Sequence, residues 1–163
     1  MRQDPDIVVV GEMRDPETIS LTLNAAETGK LVLATLHTNS AVSTAERIVN
    51  VFPESRHNQI LLQLSMVLRG VVSQTLLRRI NGGRVAAFEL LLNTSGIRSL
   101  IAEGKIHMLP SYLETGVEAG MMTMEMSLAQ LVKDKIVSQE EAFASAPNPN
   151  ALRKLLDKVM SER

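Results

Sequence analysis

A glutamate follows directly after a β-branched run near the start of the chain. Ile7–Val10 is apolar throughout and leads into Gly11 and Glu12, which predicts a parallel-sheet strand buried on both faces. A carboxylate at the end of such a strand can orient and deprotonate a water for attack on a phosphoryl group. The same side chain could instead cap the following helix or pair with Arg14.

A histidine follows the second apolar run. Residues 31–36 are apolar apart from Thr35 and predict a second strand, and His37 and Thr38 come directly after it. A histidine in this place could sense a γ-phosphate or polarise a neighbouring group, since its charge changes near neutral pH. The alternative is a partly buried histidine whose ring is satisfied by backbone groups.

The segment between the two runs has the pattern of a helix. Asp15 and Pro16 are typical of an N-cap and a first-turn proline, and Gly29 is typical of the position after a helix. A short helical connection makes the two strands parallel, and ligands bind beyond the carboxyl ends of parallel strands. We therefore expect Glu12 and His37 at the same edge of one sheet.

The remaining pattern predicts a hairpin and then helices. A helix begins at Pro53, and the apolar runs 71–77 and 84–92 flank Asn81-Gly82, a strong hairpin signal in which both central residues need positive φ. Beyond residue 93 we expect only short helices, at about 95–103, 106–115, 124–135, 139–145 and 149–161. We therefore divide the chain into an α/β region, 1–93, and a small all-helical region, 94–163.

Composition excludes several kinds of site. The 163 residues carry a net charge of −1 and contain no cysteine, which argues against a strongly basic nucleic-acid binder and excludes disulfides and thiolate metal sites. The three histidines are far apart, so a Mg²⁺ ion would be held by phosphate oxygens and one or two protein groups. The G-x-x-x-x-G-K-[ST] phosphate loop is missing as well.

Three further patterns have both a functional and a structural interpretation. An arginine cluster around the predicted hairpin turn could meet a nucleotide or a neighbouring subunit, or consist of solvated turn charges. Four closely spaced methionines could form a docking surface or fill the core. Ser138 and Glu141 have the spacing of a helix capping box. The arginines are Arg78, Arg79 and Arg84, and the methionines are Met121, Met122, Met124 and Met126.

Two motifs together resemble the secretion and type IV pilus ATPase superfamily. Residues 2–18 resemble its Walker B region, and residues 25–29 with 35–41 resemble its histidine box. Residues 96–105 are similar to the A-I-R-N-L-I-R-E-G-K motif of the twitching-motility, PilT-type branch, with Gly96 for Ala, Ser99 for Asn and Ala102 for Arg. The absence of cysteine argues against the secretion-type members that carry a four-cysteine zinc module.

The resemblance implies the carboxy-terminal part of a RecA-like P-loop NTPase domain, followed by the helical region. It implies a homohexameric motor that hydrolyses ATP with Mg²⁺ and acts on a pilus platform protein. The motor is expected in the cytoplasm, peripheral to the inner membrane, and without a nucleic-acid partner. The implied catalytic residues are Glu12 and His37, and those implied near the nucleotide are Gly11, Arg14, Thr35 and Thr38. The implied retraction motif consists of Ile97, Arg98, Leu100 and Ile101, and no protein metal cage is implied.

The same resemblance exposes missing parts. The amino-terminal PAS-like domain, the P-loop and the acidic box of this family all precede the Walker B strand. We therefore expect a carboxy-terminal fragment that is inactive alone, because Glu12 has no positioned substrate without a phosphate cradle. The alternatives are a non-catalytic docking module, an accessory PilU-type paralogue or a pilus-assembly paralogue.

Overall fold

The computed structural model describes residues 5–161, so residues 2–4 of the predicted Walker B region lie outside the described part. The strands are β1 (Ile7–Val10), β2 (Leu31–Ala34), β3 (Gly70–Arg78) and β4 (Arg84–Leu92). The helices are α1 (Pro16–Glu27), α2 (Ala41–Asn50), α3 (Glu54–Val67), α4 (Ser95–Ala102), α5 (Leu109–Thr115), α6 (Met124–Lys133), α7 (Gln139–Ser145) and α8 (Pro149–Ser161). Short 3₁₀ turns at Ile106–Met108 and Gly116–Ala119 flank α5.

The first two strands are parallel, as predicted. Ile7 pairs with Leu31 and Val10 with Ala34, and α1 makes the connection between them. Asp15 is the N-cap of α1: its carboxylate accepts hydrogen bonds from the amide and the hydroxyl of Thr18, both at 2.8 Å. These bonds satisfy backbone donors that the first helical turn leaves without a partner.

The prediction that β1 is buried on both faces is wrong. Ile7 and Val9 are 57% and 74% exposed, and Leu31 and Leu33, which pair with them, are also exposed. The four side chains share one face of the sheet, because alternate residues of a strand point to the same side. One face of this two-stranded sheet therefore remains open and apolar.

A prediction about pH follows from the cap of α1. The two bonds from Thr18 lower the pKa of Asp15. A depressed pKa in the folded state means that the cap contributes stability above the unfolded pKa and loses it as pH falls through the folded pKa. Asp15→Ala should therefore lower Tm clearly at pH 7, and the difference from the native chain should shrink in acid to the smaller advantage that a neutral acceptor oxygen provides.

The matched control is Asp15→Asn, which keeps an acceptor oxygen but does not titrate in this range. Thermal unfolding followed by circular dichroism across pH should give Asp15→Asn a constant advantage over Asp15→Ala. A Tm deficit of Asp15→Ala that persists unchanged in acid would contradict a role for the ionised cap.

The sequence between the second strand and the hairpin forms two helices, α2 and α3, and the second begins next to Pro53, as predicted. α2 begins with a reciprocal capping box, in which Ser40 and Ser43 each accept from the other's backbone amide. α3 follows Pro53 and buries Ile60 and Leu64. α3 packs against both α1 and α4, and buried apolar side chains of the three helices contribute to the core of this part of the fold.

The predicted hairpin is present, although its turn differs from the prediction. β3 and β4 pair with each other, and the connection is too short for a parallel arrangement. The backbone amide of Arg79 donates to the carbonyl of Gly83, and Gly82 and Gly83 have positive φ. The positive-φ pair is thus shifted by one residue from Asn81-Gly82, because the loop is longer than a two-residue turn.

The helices after the hairpin have a core of their own. Leu77 and Ala87 of the hairpin pack with Met124 and Leu128 of α6 and with Leu152 of α8. Of the four methionines, Met121 and Met124 are buried, so for these two the structure bears out core packing. The capping box at α7 forms only in part: Ser138 caps the amide of Glu141, but the Glu141 carboxylate accepts from the amide of Arg78.

The chain forms two compact units that do not follow a single boundary in sequence. The first contains residues 5–70 together with Leu92–Tyr112, and the second contains Val71–Leu91 together with residues 113–161. The hairpin therefore groups with the later helices, and α4 groups with the first part of the chain. The boundary near residue 93 stays a prediction. Among residues 5–161, no helix has the length and apolar character needed to cross a membrane.

Candidate functional site

The ends of β1 and β2 bring the predicted catalytic residues together. Beyond the last strand pair, the amide of Met13 donates to the carbonyl of Thr35 at 3.0 Å, and the Thr35 hydroxyl donates to the carbonyl of Gly11. These bonds continue the alignment of the two segments past the regular sheet. They place Glu12 and His37 side by side, with His37 Nε2 3.1 Å from Glu12 Oε1.

The carboxylate of Glu12 is held from two sides. Arg14 contacts Oε2 at 2.5 Å, while His37 contacts Oε1. The hydrogen bond from Arg14 is the main reason that the pKa of Glu12 lies below its usual range, and the charges of Arg14, His37 and Arg47 lower it further. Glu12 is therefore ionised at neutral pH, and its side chain remains 24% exposed to water.

The alternatives left open for Glu12 and His37 have different outcomes. Glu12 does pair with Arg14, but it does not cap α1, because Asp15 occupies that position. The His37 side chain is 80% exposed and contacts a carboxylate, so the alternative of a partly buried ring satisfied by the backbone is wrong. An ionised carboxylate beside an exposed imidazole can orient a water molecule and accept its proton.

Thr38 is engaged with a helix. Its hydroxyl lies 2.7 Å from the hydroxyl of Thr44 on α2, and the Thr44 hydroxyl donates to the carbonyl of Ser40 at 2.8 Å. Because Thr44 uses its single proton there, Thr38 is the donor in the first bond. Thr38 therefore connects the segment after β2 to the start of α2. Of the other predicted residues, Arg14 contacts the Glu12 carboxylate, and the Thr35 hydroxyl donates to the carbonyl of Gly11, the residue before Glu12.

The side chains at this edge of the sheet are compatible with a metal ion that is held mainly by the phosphate oxygens of a bound nucleotide. Within the described part of the chain, no group of three or more His, Cys, Asp or Glu side chains could hold a metal ion. Mg²⁺ commonly binds through one or two carboxylates and substrate phosphates, with water in its other positions. The partly exposed carboxylate of Glu12 is compatible with that mode of binding.

The predicted retraction motif lies on α4 and divides into buried and exposed positions. Ile97, Leu100 and Ile101 are buried, whereas Arg98 is exposed. α4 packs closely against α3, so the three apolar residues hold the helix in the first unit. Arg98 contributes its charge to the surface, where it is available to a partner.

Sequence reasoning missed Asn93, which secures the start of α4. The Asn93 side-chain amide donates to the carbonyls of Ser65 and Leu68 at 2.9 and 2.8 Å, and its backbone amide donates to Arg69. It thereby satisfies carbonyls that the end of α3 leaves without helical partners. An asparagine just before a helix suggests a local cap, so the sequence contained no signal for this bond to a distant helix.

The buried part of the motif yields a stability prediction. Ile101 is fully buried, and truncating such a side chain removes apolar contacts and leaves a cavity. We expect Ile101→Ala to lower the free energy of unfolding by about 2–5 kcal/mol, measured by urea denaturation. The control Leu21→Ala, at a position 63% exposed, should change it by less than about 0.5 kcal/mol. Equal effects of the two substitutions would contradict the assigned packing of α4.

Residues 1–84 match the type II/IV secretion system protein family. The chain is 49% identical over 149 residues to the type IV pilus retraction ATPase PilT of Pseudomonas aeruginosa, a match that covers 91% of this chain and 43% of that protein. It is 47% identical over 153 residues to a twitching motility protein of Neisseria gonorrhoeae, covering 93% and 41%. The chain thus spans about two fifths of the length of these curated relatives.

A solved structure confirms the predicted α/β fold class. The crystal structure of the pilus retraction motor PilT with bound ADP matches with a TM-score of 0.85 and 44% identity, covering 94% of this chain and 43% of that one. The predicted roles of the individual site residues stay predictions.

Proposed function

Because this chain belongs to the type II/IV secretion system protein family, we propose that it is the carboxy-terminal part of a motor ATPase for type IV pilus retraction. The observation that carries this proposal is the contact between Glu12 and His37 at the carboxyl edge of a parallel sheet. The relatives that match nearly all of this chain are themselves a retraction ATPase and a twitching motility protein. Pilus retraction is therefore the function that best accounts for both the Glu12–His37 contact and the family to which the chain belongs.

In this proposal Glu12 orients the attacking water and accepts its proton. The ionised state favoured by Arg14 suits this role, although a lowered pKa also makes the carboxylate a weaker base. His37 is exposed beside it and can contact the terminal phosphate. Arg14 can bind a phosphate oxygen when it exchanges its contact with Glu12 for the nucleotide.

The remaining parts of the nucleotide site are proposed to come from a longer polypeptide. Mg²⁺ would neutralise phosphate charge at this edge, where Glu12 would contribute a carboxylate ligand. The open apolar face formed by Ile7, Val9, Leu31 and Leu33 supports a further layer of the domain, since strands this apolar are normally covered. The chain alone is therefore expected to bind and hydrolyse ATP poorly, and micromolar affinity in a calorimetric titration would contradict this.

The assembly proposed is a homohexamer in the cytoplasm, peripheral to the inner membrane. The exposed Arg98 is the residue that couples the motor to the pilus, through the inner-membrane platform protein. In this proposal, ATP hydrolysis takes place at the sheet edge, and α4 couples the motor to the pilus.

A hybrid motor tests the proposed function. We define the hybrid motor as the Pseudomonas aeruginosa retraction ATPase in which this chain replaces the matching segment of 149 residues. It should turn over ATP and restore twitching to a strain that lacks the native protein. A hybrid that assembles without hydrolysing ATP would instead favour the docking module, and one that hydrolyses ATP without restoring twitching would favour an accessory or pilus-assembly paralogue.

A further inference from the structure

Gly96 lies in the first turn of α4, where the resembled motif has alanine. Glycine weakens a helix relative to alanine because it loses more backbone freedom on folding. Gly96 is not one of the glycines with positive φ, so its backbone conformation does not require glycine. The reason for glycine must therefore be sought in what packs against it.

The ring of Tyr112 occupies the space that a side chain at position 96 would need. A Cβ atom added to Gly96 would lie 2.8 Å from Cε1 of Tyr112, 3.3 Å from Cδ1 and 3.9 Å from Cζ. A carbon–carbon approach of 2.8 Å is well inside van der Waals contact. The aromatic ring therefore packs directly on the bare backbone of α4.

The path of the chain after α4 brings Tyr112 back to the beginning of that helix. α4 ends at Ala102, Gly104 follows with a left-handed φ of 70°, and the amide of Lys105 donates to the carbonyl of Leu100 at 2.8 Å. This Schellman-type ending reverses the chain direction. The buried Leu109 then anchors α5, and Tyr112 lies one turn further along.

The first turn of α4 has no side-chain cap from its own sequence. Thr94 is the N-cap residue, but its side chain makes no capping hydrogen bond. Besides the buried Ile97, the position of this turn depends on the Asn93 bonds at the end of α3 and on the Tyr112 ring. Arg98 follows Gly96 by two residues, within the same short helix.

We propose that Gly96 and Tyr112 form a matched pair that positions the helix bearing Arg98. The ring fills the space left by the missing side chain and sets where the first turn of α4 lies. Tyr112 is a positioning residue, because it acts on the coupling function only through α4. The link to pilus retraction rests on the proposed function, whereas the packing of the pair does not.

The packing can be measured on the chain itself, because Tyr112 is its single tyrosine and it has no tryptophan. The tyrosine band in near-UV circular dichroism and the quenching of tyrosine fluorescence by acrylamide therefore report this ring alone. Gly96→Ala should weaken the band and increase quenching, since the ring must move outward. Ser99→Ala on the same helix should leave both signals unchanged. A native signal in Gly96→Ala would overturn the proposal.

A double-mutant cycle tests whether the two residues are matched. Gly96→Ala should lower Tm in the native background and raise it in the Tyr112→Ala background, where alanine strengthens the helix without meeting the ring. Circular dichroism of the four folded variants gives the four Tm values. Shifts of the same sign in both backgrounds would overturn the matched pair.

The positioning role is tested in the hybrid motor. Either single substitution should reduce the twitching zone while ATP turnover stays native, and the double variant should recover part of the loss. Native twitching in both single variants would overturn the positioning role, even if the cycle shows coupling. Failure of the unsubstituted hybrid to twitch is a separate result, because it contradicts the proposed function and not the packing.

Discussion

Glu12→Gln in the hybrid motor is expected to lower ATP turnover by about 10²–10⁴-fold, the usual contribution of a general base. Glutamine has nearly the same shape and still offers an oxygen to Arg14, so the site should keep its geometry. It cannot accept a proton from water at neutral pH. Nucleotide affinity should therefore remain close to native, and single-turnover hydrolysis and equilibrium binding measured together would separate the two effects.

The matched control for this substitution is Glu17→Gln. Glu17 is an exposed carboxylate in the first turn of α1, and its removal changes the net charge by the same amount. Turnover in this control should be native. Unchanged turnover in Glu12→Gln would show that Glu12 is not the base, and an equal loss in both variants would point to a general charge effect.

Arg98→Ala in the hybrid motor is expected to abolish twitching while leaving most of the ATP turnover. The Arg98 side chain is exposed, whereas the buried side chains of Ile97, Leu100 and Ile101 hold α4 in place. Loss of an exposed arginine should change the free energy of unfolding by no more than about 0.5 kcal/mol. The defect should therefore lie in contact with a partner and not in folding or hydrolysis.

Arg69→Ala provides the comparison for Arg98→Ala, because Arg69 is also exposed but lies between α3 and β3, outside the motif. Twitching-zone diameter and turnover of the purified hybrid should both be native in this control. A parallel loss of twitching and turnover in Arg98→Ala would refute a specific coupling role for this arginine.

Local features of the fold were predictable because their causes lie within a few residues. The Asp15 cap, the proline that follows it and the glycine at position 29 mark α1 correctly, with Gly29 at a φ of 89°. α7 and α8 also begin and end where their patterns predict. The meeting of Glu12 and His37 follows from a simple topological rule, since the carboxyl ends of parallel strands share one edge.

Features that depend on distant residues were not predictable. Glu141 has the spacing of a capping box, yet its carboxylate accepts from the amide of Arg78 on the hairpin. Asn93 bonds to the end of α3, and the face of β1 expected to be buried is open. In each case the partner, or its absence, is determined by the path of the chain in space.

The sequence by itself determined which residues could do chemistry, which segments form helices and strands, and which two side chains meet at the sheet edge. Periodicity and capping act over a few residues, and parallel pairing needs only the order of the elements. The tertiary structure decided that Arg14 and His37 each take one oxygen of Glu12, and that Tyr112 packs on Gly96. Such contacts depend on positions within a few tenths of an ångström, which follow only from the packing of the whole fold.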